Sequence, residues 1–475
     1  MTKLQSVNYQ QLTWPLIIGL IIWLSAPFRP AGLSLLAWHM LALFVGTIIG
    51  CITQPLPIAG VAIIGLTLGV LLGVTSMTDA MACFGDNTVW MIAMAYFLSR
   101  GFVKTGLGRR VALVFVKLFG KKTLGLAYAL IGVDLVTSPA TPSNTARAGG
   151  IVFPIIESLA KAYGSDPQNG TQRKVGSFLI MSAFHGNIAT SGLFMTAMAP
   201  NLVAVALAQA MQIHITWMDW LLAALLPGLI CLISVPAIIY WLYPPEIKDT
   251  PNAHAWAANE LEQMGAMTLA EKLMAGIFVL ALFLWISASF TGLDATLVAF
   301  IAVTLLLLTG VLSVDDLLHE TGAWNTLVWF SILIFMAGKL NSLGFIPWLS
   351  QTMGQALQGI SWLWVLAALM LVYFYSHYLF AGATAHVSAM YGAFLGVAIS
   401  AGAPPMLAAL LLGFDGAIFS STTHYANGPA SIMFGSGYIT QSEWWRLNLC
   451  LGGFYLYSMG RWWHTLDETF RLLVN

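Results

Sequence analysis

A polar, helix-breaking stretch interrupts a long apolar region at residues 134–154. Its centre holds two prolines and the run Ser143-Asn144-Thr145. A transmembrane helix needs about 20 apolar residues, because the hydrocarbon core is about 30 Å thick. The arm 124–136 is too short for a span, and irregular backbone at membrane depth is tolerated only inside protein or beside a cavity. The stretch therefore predicts a helical hairpin that enters the membrane, turns and leaves on the same side.

The tip of this hairpin gathers groups that suit an anion. A returning helix that begins near Ser143 would direct free backbone N–H groups and the positive end of its dipole at the tip. Hydroxyls, one amide and the guanidinium of Arg147 lie in the same short run. Because helix N-termini bind anions, we expect Ser143, Asn144, Thr145 and Arg147 to contact a ligand. The alternative is that Ser143 and Asn144 only cap the helix.

Arg147 is one of very few ionisable residues expected at membrane depth, where a charge is expensive and usually functional. Asp134 lies at nearly the same distance from the turn on the other arm, so antiparallel arms would bring the two side chains level. Two interpretations stay open: a purely structural ion pair, or a fixed cation that faces a carboxylate substrate while Asp134 orients it.

Composition predicts a polytopic membrane protein. Of the 475 residues, 59% are hydrophobic and only 8% are charged, whereas a soluble domain has about 25% charged residues. The formal net charge is zero, so nothing suggests nucleic acid as a partner. The four cysteines are scattered and form no C-x-x-C motif. We therefore expect no disulfide framework, metal site or cofactor, and membrane lipid is the expected surrounding.

The order of elements predicts an all-α fold with two repeats. In each repeat, a span is followed by a surface helix, a hairpin and a broken helix. Glycine, asparagine and proline predict breaks of the first broken helix at 186–187, 190–192 and 199–201. The bounds are a first half at 1–243 with hairpin 123–160 and broken helix 175–211, a cytoplasmic linker at 244–270, and a second half at 271–475 with hairpin 362–400 and broken helix 405–439.

Charge predicts that the two repeats are inverted. The first surface helix, 106–122, and its flanks are strongly basic, whereas its counterpart at 345–359 carries no charge. Lys and Arg concentrate on cytoplasmic loops. The same element therefore lies inside in one repeat and outside in the other, and the two hairpins enter from opposite faces.

Further candidate residues lie in the second tip and in the breaks. His386 follows Thr384 in the polar turn of the second hairpin, and histidine titrates near neutral pH, so it is a conditional cation. Asp415 is a candidate proton or cation site or a buried pairing residue. Contacts to substrate or ions are also expected from the breaks, at Thr196, Asn201, Thr423 and Asn427.

At these residues the sequence resembles the divalent anion:sodium symporter family over its whole length. Pro-Ser-Asn-Thr-Ala-Arg at 142–147, Thr-Gly-Leu-Gly-Arg-Arg at 105–110 and Phe-Gly-Ser-Gly-Tyr at 434–438 resemble its bacterial citrate/succinate and tartrate/succinate antiporter branch, and plastid 2-oxoglutarate/malate translocators. The second Ser-Asn-Thr signature is replaced by Thr384-Ala385-His386, which puts sodium binding there in doubt. The resemblance implies about eleven spans, two re-entrant hairpins, a homodimer and elevator-type transport.

These observations predict a secondary carrier of di- or tricarboxylates in a bacterial inner membrane, and specifically a sodium-independent exchanger. A sodium-coupled symporter of the same fold is the nearest alternative. An intramembrane enzyme using His377, His386 or His424 with Asp415 is an alternative from another class. No nucleophile–base or metal-ligand spacing favours the enzyme.

Overall fold

The computed structural model describes residues 8–380 and 382–474, apart from the side chains of residues 289 and 460–474. Within that part the chain is helical, and its only β-type contact is an antiparallel bridge between Lys122 and Asp249. The helices of the first half are α1 Tyr9–Leu24, α2 Leu35–Thr53, α3 Ile58–Leu71, α4 Met77–Ala82, α5 Asn87–Thr105, α6 Leu107–Phe119, α7 Thr123–Thr137, α8 Phe153–Ala162, α9 Gly176–Leu193, α10 Ala199–Ala210 and α11 Trp217–Leu242.

The hydrophilic linker contains one helix, and the helices of the second half follow it. These helices are α12 Pro251–Met264, α13 Leu269–Thr291, α14 Ala295–Leu308, α15 Val314–Leu318, α16 Thr321–Ser342, α17 Phe345–Ala356, α18 Trp362–Ser376, α19 Ala383–Ser400, α20 Pro405–Ile418, α21 Gly428–Gly435 and α22 Gln441–Val474. Among the described residues, 7 helices are long and apolar enough to cross a membrane. The chain is thus an all-α polytopic membrane protein, as the composition predicts.

Two compact units are formed by the described residues. One contains residues 8–93, 202–215 and 321–413, and the other contains residues 94–201, 216–320 and 414–474. The first hairpin lies in the second of these units, and the described residues of the second hairpin lie in the first. The division of the sequence into repeats at 243 and 271 stays a prediction.

The first broken helix differs from its prediction. Residues 186–187 and 190–192, which were expected to interrupt it, lie inside α9, and the break falls at 194–198. Asn187 and Thr190 direct their side chains to Asp134, so these polar groups are satisfied without breaking the helix. Gly186 has a packing role, because a Cβ there would lie 2.3 Å from the Ile131 side chain of α7.

The linker is hydrogen-bonded to the first residue of the first hairpin. Thr123, the first residue of α7, donates its N–H to the Lys248 carbonyl at 3.0 Å and its hydroxyl to the Ile247 carbonyl at 2.6 Å. Arg110 of α6 forms a bidentate pair with Glu271 at the start of α13, with N···O distances of 2.6 and 3.2 Å. These contacts hold α6, the linker and the start of the hairpin together within one unit.

Candidate functional site

Two prolines shape the tip of the first hairpin. After α7 ends, Pro139 lies in a single 3₁₀ turn, and the backbone is extended at Thr141. Ser143 accepts the N–H of Ala146 at 3.1 Å, so it caps the returning arm, which is the role that the sequence left as the alternative. The returning arm starts with a π-helical segment, Ala146–Val152, and π-helical turns occur frequently at functional sites.

Arg147 lies in that π-helical segment and is fully buried. Its Nε donates to Asp134 Oδ1 at 3.0 Å, so the two arms are joined by the ion pair that their spacing predicts. Its other bonds go to the Thr141 carbonyl, the Ala197 carbonyl at 2.6 Å and the Ser191 hydroxyl at 2.9 Å. A guanidinium has five N–H donors, so bonds to described residues leave one of them for a ligand.

Asp134 accepts hydrogen bonds on both of its carboxylate oxygens. In addition to Arg147, its carboxylate accepts the Asn187 amide at 3.1 and 3.2 Å and the Thr190 hydroxyl. Buried charges are stable only when they are paired and hydrogen-bonded. The Asp134–Arg147 pair meets both conditions, and its net charge is zero.

The first tip contacts the start of α21. Gly428 has no room for a side chain, because a Cβ there would lie 2.1 Å from Thr145 Oγ1. The preceding residue, Asn427, caps α21 by accepting the Ala430 N–H at 2.8 Å. The other side of its amide, Nδ2, is buried and has no partner among the described residues. Asn187 also reaches the Asn144 carbonyl at 3.5 Å. Two helix N-termini and an amide donor therefore lie close together here.

Asn201 satisfies backbone carbonyls that the break between α9 and α10 leaves open, and Thr196 bonds the first tip. Asn201 donates its amide to the carbonyls of Ser191 at 2.7 Å and Phe194 at 3.1 Å. The Thr196 hydroxyl donates to the Pro139 carbonyl of the first tip. The Asn201 Oδ1 atom, like the buried Oγ1 of Thr423 in the second break, has no partner among the described residues. Ligand contact at these residues stays a prediction.

The tip of the second hairpin is built around His386. The 3₁₀ turn His377–Leu379 follows α18, and α19 begins at Ala383, so half-buried Thr384 and fully buried His386 lie in its first turn. His386 Nδ1 lies 3.0 Å from His377 Nδ1, and its Nε2 lies 3.1 Å from Ser376 Oγ. The sequence makes His377 a candidate only for an intramembrane enzyme. His377 and His386 lie on opposite arms of the hairpin. The same spacing argument that predicted the pairing of Asp134 with Arg147 could have predicted this contact.

Metal ligation finds no support in the described part of the chain, where no group of three or more His, Cys, Asp or Glu residues could hold an ion. The four cysteines are free thiols. The groups gathered at the first tip are hydroxyls, amides and helix N-termini around a neutralised ion pair, and such groups form hydrogen bonds with anions.

Comparison with known proteins identifies the family. The sodium:sulfate symporter transmembrane region matches residues 6–467. The chain is 48% identical over 469 residues to YflS of Bacillus subtilis strain 168, provisionally named a malate transporter, covering 98% of each chain. It is 42% identical over 472 residues to the chloroplastic dicarboxylate transporter 1 of Spinacia oleracea, covering 96% of this chain and 83% of that one. It is 36% identical over 449 residues to the L-tartrate/succinate antiporter of Shigella sonnei, covering 90% and 92%.

Solved structures with a similar fold are membrane transporters. MtrF of Neisseria gonorrhoeae, described within a class of antimetabolite efflux pumps, has a TM-score of 0.57 at 12% identity, covering 97% of this chain and 95% of that one. The YdaH transporter of Alcanivorax borkumensis has a TM-score of 0.52 at 13% identity, covering 80% and 85%. These likenesses concern the fold alone. The sequence matches over nearly the whole chain are to transporters and not to enzymes, and this chain belongs to the divalent anion:sodium symporter family.

Proposed function

We propose that this protein is a secondary carrier that exchanges small di- or tricarboxylates across a membrane without a requirement for sodium. The relatives' names support the substrate class, since they cover malate, dicarboxylates, and tartrate with succinate. One relative is named an antiporter, which supports exchange. Citrate and 2-oxoglutarate belong to the same chemical class and are included among the substrates to be tested.

The observation that carries the exchanger proposal is the fully buried His386 in the second tip, because Arg147 in the first tip is already neutralised. In a symporter, the positive charge is carried by sodium ions, which leave with the substrate. A guanidinium is covalently fixed and does not deprotonate in proteins. Its bond to Asp134 at 3.0 Å cancels the net charge. The first tip therefore recognises a carboxylate through N–H groups, hydroxyls and helix dipoles around Ser143, Asn144 and Thr145.

Binding at the second tip completes the proposal. Thr384 contributes a hydroxyl in the first turn of α19, and His386 contributes a positive charge when it is protonated. A cationic tip that loses its anion would be costly to move through a low-dielectric barrier. The substrate cancels that charge, so the loaded carrier moves readily and the empty one does not. Obligate exchange follows from this difference.

Sodium-coupled symport is the second candidate. The family description itself names sodium symport. Two buried oxygens near the ion pair, Thr141 Oγ1 and Asn187 Oδ1, have no partner among the described residues. Hydroxyl and amide oxygens are suitable ligands for hard cations. A sodium ion at this position would favour cotransport over exchange.

The remaining features of the proposal concern the assembly. We propose about eleven spans with two re-entrant hairpins, elevator-type motion, a homodimer, and a location in a bacterial inner membrane. The full-length match to bacterial transporters supports the location. The motion and the dimer rest on the family resemblance.

Uptake into proteoliposomes separates the two candidates. Labelled malate, succinate, tartrate and citrate are offered to vesicles with and without internal dicarboxylate, in sodium and in choline buffers. The exchanger proposal expects uptake only into loaded vesicles and equal rates in both buffers. Strong uptake into empty vesicles driven by a sodium gradient would contradict it and establish the symporter.

A further inference from the structure

An apolar groove lies among the first three helices of the chain. The helices α1, α2 and α3 enclose a cavity of about 200 Å³, and its lining is apolar, aromatic or glycine except for Thr47. We propose that this groove holds one acyl chain of an anionic phospholipid, whose phosphate is bound by Arg29 in the loop between α1 and α2. All of these elements belong to one compact unit.

The lining of the groove suits a hydrocarbon. The Thr47 hydroxyl already donates its hydrogen to the Leu43 carbonyl at 2.8 Å, so it needs no polar ligand. Apolar cavities stay dry and bind apolar molecules, and a cavity of about 150 Å³ admits benzene. The groove therefore has room for part of an acyl chain, and its open side accommodates the rest.

The size of the groove excludes a bulkier occupant. A Cβ at Gly50 would lie 2.6 Å from Val61, and one at Gly65 would lie 2.2 Å from Thr47 Oγ1, so α2 and α3 are in close contact. The helix α1 closes the groove more loosely, since Pro15 is its only buried residue. A helix from another protein is about 10–12 Å across and does not fit this space, whereas a single acyl chain does.

The groove opens on the apolar surface of the protein. Leu16 and Leu20 of α1 and Ile64 of α3 line it and are exposed. In a membrane protein such side chains contact the surrounding lipid, so an acyl chain can enter the groove from the side. The lining extends from Leu12 to Trp23 along α1, which is about 16 Å of helix. This length is about half of a hydrocarbon core of about 30 Å, as expected for a lipid of one leaflet.

Arg29 supplies a positive charge near one end of the groove. Trp23 lines that end, and its ring stacks on His39 with centroids 3.7 Å apart. Arg29 follows α1 by five residues and is near enough to His39 to interact with it electrostatically. Its Nε donates to the Leu33 carbonyl at 3.0 Å and its Nη1 to the Ala26 carbonyl at 3.2 Å, so the guanidinium is held in place.

The Arg29 guanidinium remains available to an anion. Two of its five N–H donors are used by the loop, which leaves three. It is exposed, and no carboxylate of the described residues forms an ion pair with it. Guanidinium groups bind phosphate through two parallel hydrogen bonds, and basic residues beside membrane helices recognise anionic headgroups. Tryptophan is enriched at the same membrane–water interface, as Trp23 is here.

Native mass spectrometry of the purified full-length protein in detergent tests the site by counting bound phospholipids. We expect the wild type to retain phosphatidylglycerol more tightly than phosphatidylcholine. Arg29→Gln should weaken phosphatidylglycerol binding by about tenfold or more, as for a lost hydrogen bond to a charged group, and leave phosphatidylcholine unchanged. Arg29→Lys keeps the charge but not the two parallel bonds, so it should retain part of the preference.

A matched pair of variants tests the groove itself. Ile64→Trp should weaken the binding of both phospholipids, because the larger ring occupies the groove. Ile63→Trp is the control, since Ile63 is exposed but does not line the groove, and binding should be unchanged. Equal binding by the two variants, or no preference for phosphatidylglycerol in the wild type, would overturn the site. Inorganic phosphate should not displace the lipid, and full displacement would show that the acyl chain is not bound.

Disulfide cross-linking in membranes tests whether a second copy covers the groove instead. With the exposed Cys450 replaced by serine, Ile64→Cys should form no linked dimers. Efficient dimer formation at this position would overturn the lipid site. None of these measurements uses a carboxylate substrate, so their outcome is independent of the proposed function.

Discussion

Arg147 Nε and Asp134 Oδ1 are 3.0 Å apart, and this bond joins the two arms of the first hairpin in the buried interior of one unit. Because Asp134 cancels the charge of Arg147, the first tip presents oriented dipoles and hydrogen-bond donors instead of net charge. Recognition of a carboxylate at this tip would therefore depend on hydrogen bonds and helix dipoles.

Asp134→Asn should destabilise the protein severely. The substitution leaves the buried Arg147 guanidinium without a counterion, and breaking one side of a buried pair costs about 3–5 kcal/mol. Thermal unfolding in detergent, followed by fluorescence, measures the loss. An unchanged melting temperature would contradict the buried pair.

Replacing both Asp134 and Arg147 distinguishes a role of the pair in stability from a role in transport. Asp134→Leu combined with Arg147→Met removes both charges, so much of the stability lost in Asp134→Asn should return. Recovery should be incomplete, since the Asn187 amide loses the Asp134 carboxylate at a cost of about 1–3 kcal/mol, whereas the Thr190 hydroxyl keeps the Asn187 carbonyl at 3.0 Å. Exchange in proteoliposomes should remain absent. A double variant that transports normally would show that the pair only holds the arms together.

Gly428→Ala should disrupt the contact between the first tip and α21. The added methyl would lie 2.1 Å from Thr145 Oγ1 and 2.7 Å from its Cγ2, so the tip must move. We expect the exchange rate to fall, with partial recovery when Thr145→Ala removes both atoms. Gly276→Ala is the matched control, because a Cβ there meets nothing within 4 Å. Equal activity of the two glycine variants would refute the tight contact.

Membrane orientation can be tested by labelling single cysteines in intact cells. Cys450 is exposed and is first replaced by serine. Lys117→Cys and Asn252→Cys should resist an impermeant thiol reagent, because the basic segment 106–122 and the linker are expected in the cytoplasm. Gln358→Cys, in the uncharged counterpart, should react. Ready labelling at 117 or 252 would overturn the inverted arrangement.

Asp415→Leu should raise the melting temperature. Asp415 is fully buried, and neither carboxylate oxygen has a partner among the described residues. An unsatisfied buried polar group costs about 1–3 kcal/mol, which an apolar side chain of similar size avoids. Asn427→Leu is a useful comparison, since it removes the cap of α21 and should destabilise instead. A lower melting temperature for Asp415→Leu would reveal a partner or a bound cation for the carboxylate.

Asp316→Asn should produce a pH-dependent loss of stability. The Lys104 ammonium at 2.5 Å, together with the Ser313 N–H, holds the pKa of Asp316 below its ordinary value. A depressed pKa in the folded state contributes stability above the ordinary value of 3.8, which is lost as the pH falls towards the folded pKa. The variant should therefore be less stable at pH 7, by about 0.5 kcal/mol as for other surface pairs, and the difference should shrink below about pH 4.

Thermal unfolding at pH 7, 5 and 3 measures this dependence. Asp315→Asn is the control, because that side chain is 80% exposed and its contact is with His319. The control should differ little from the wild type at pH 7. A stability difference for Asp316→Asn that grows on acidification would have the wrong sign for a depressed pKa.

Local sequence determined the helices and the first ion pair. Hydropathy predicted the apolar helices, and the prolines at 139 and 142 predicted the turn between α7 and α8. The pairing of Asp134 with Arg147 followed from equal spacing on two antiparallel arms. These features depend on interactions between residues near in sequence, so periodicity and spacing are sufficient to predict them.

Tertiary structure alone decided which polar groups remain available to a ligand. The sequence did not show that Ser191 and the Ala197 carbonyl bond Arg147, because they lie in α9 and in the break after it, 44 and 50 residues away along the chain. It also predicted breaks at 186–192 that do not occur, since Asn187 and Thr190 find a carboxylate on α7. Hydrogen-bond satisfaction in a buried interior depends on which helices pack together, and a linear pattern does not contain that information.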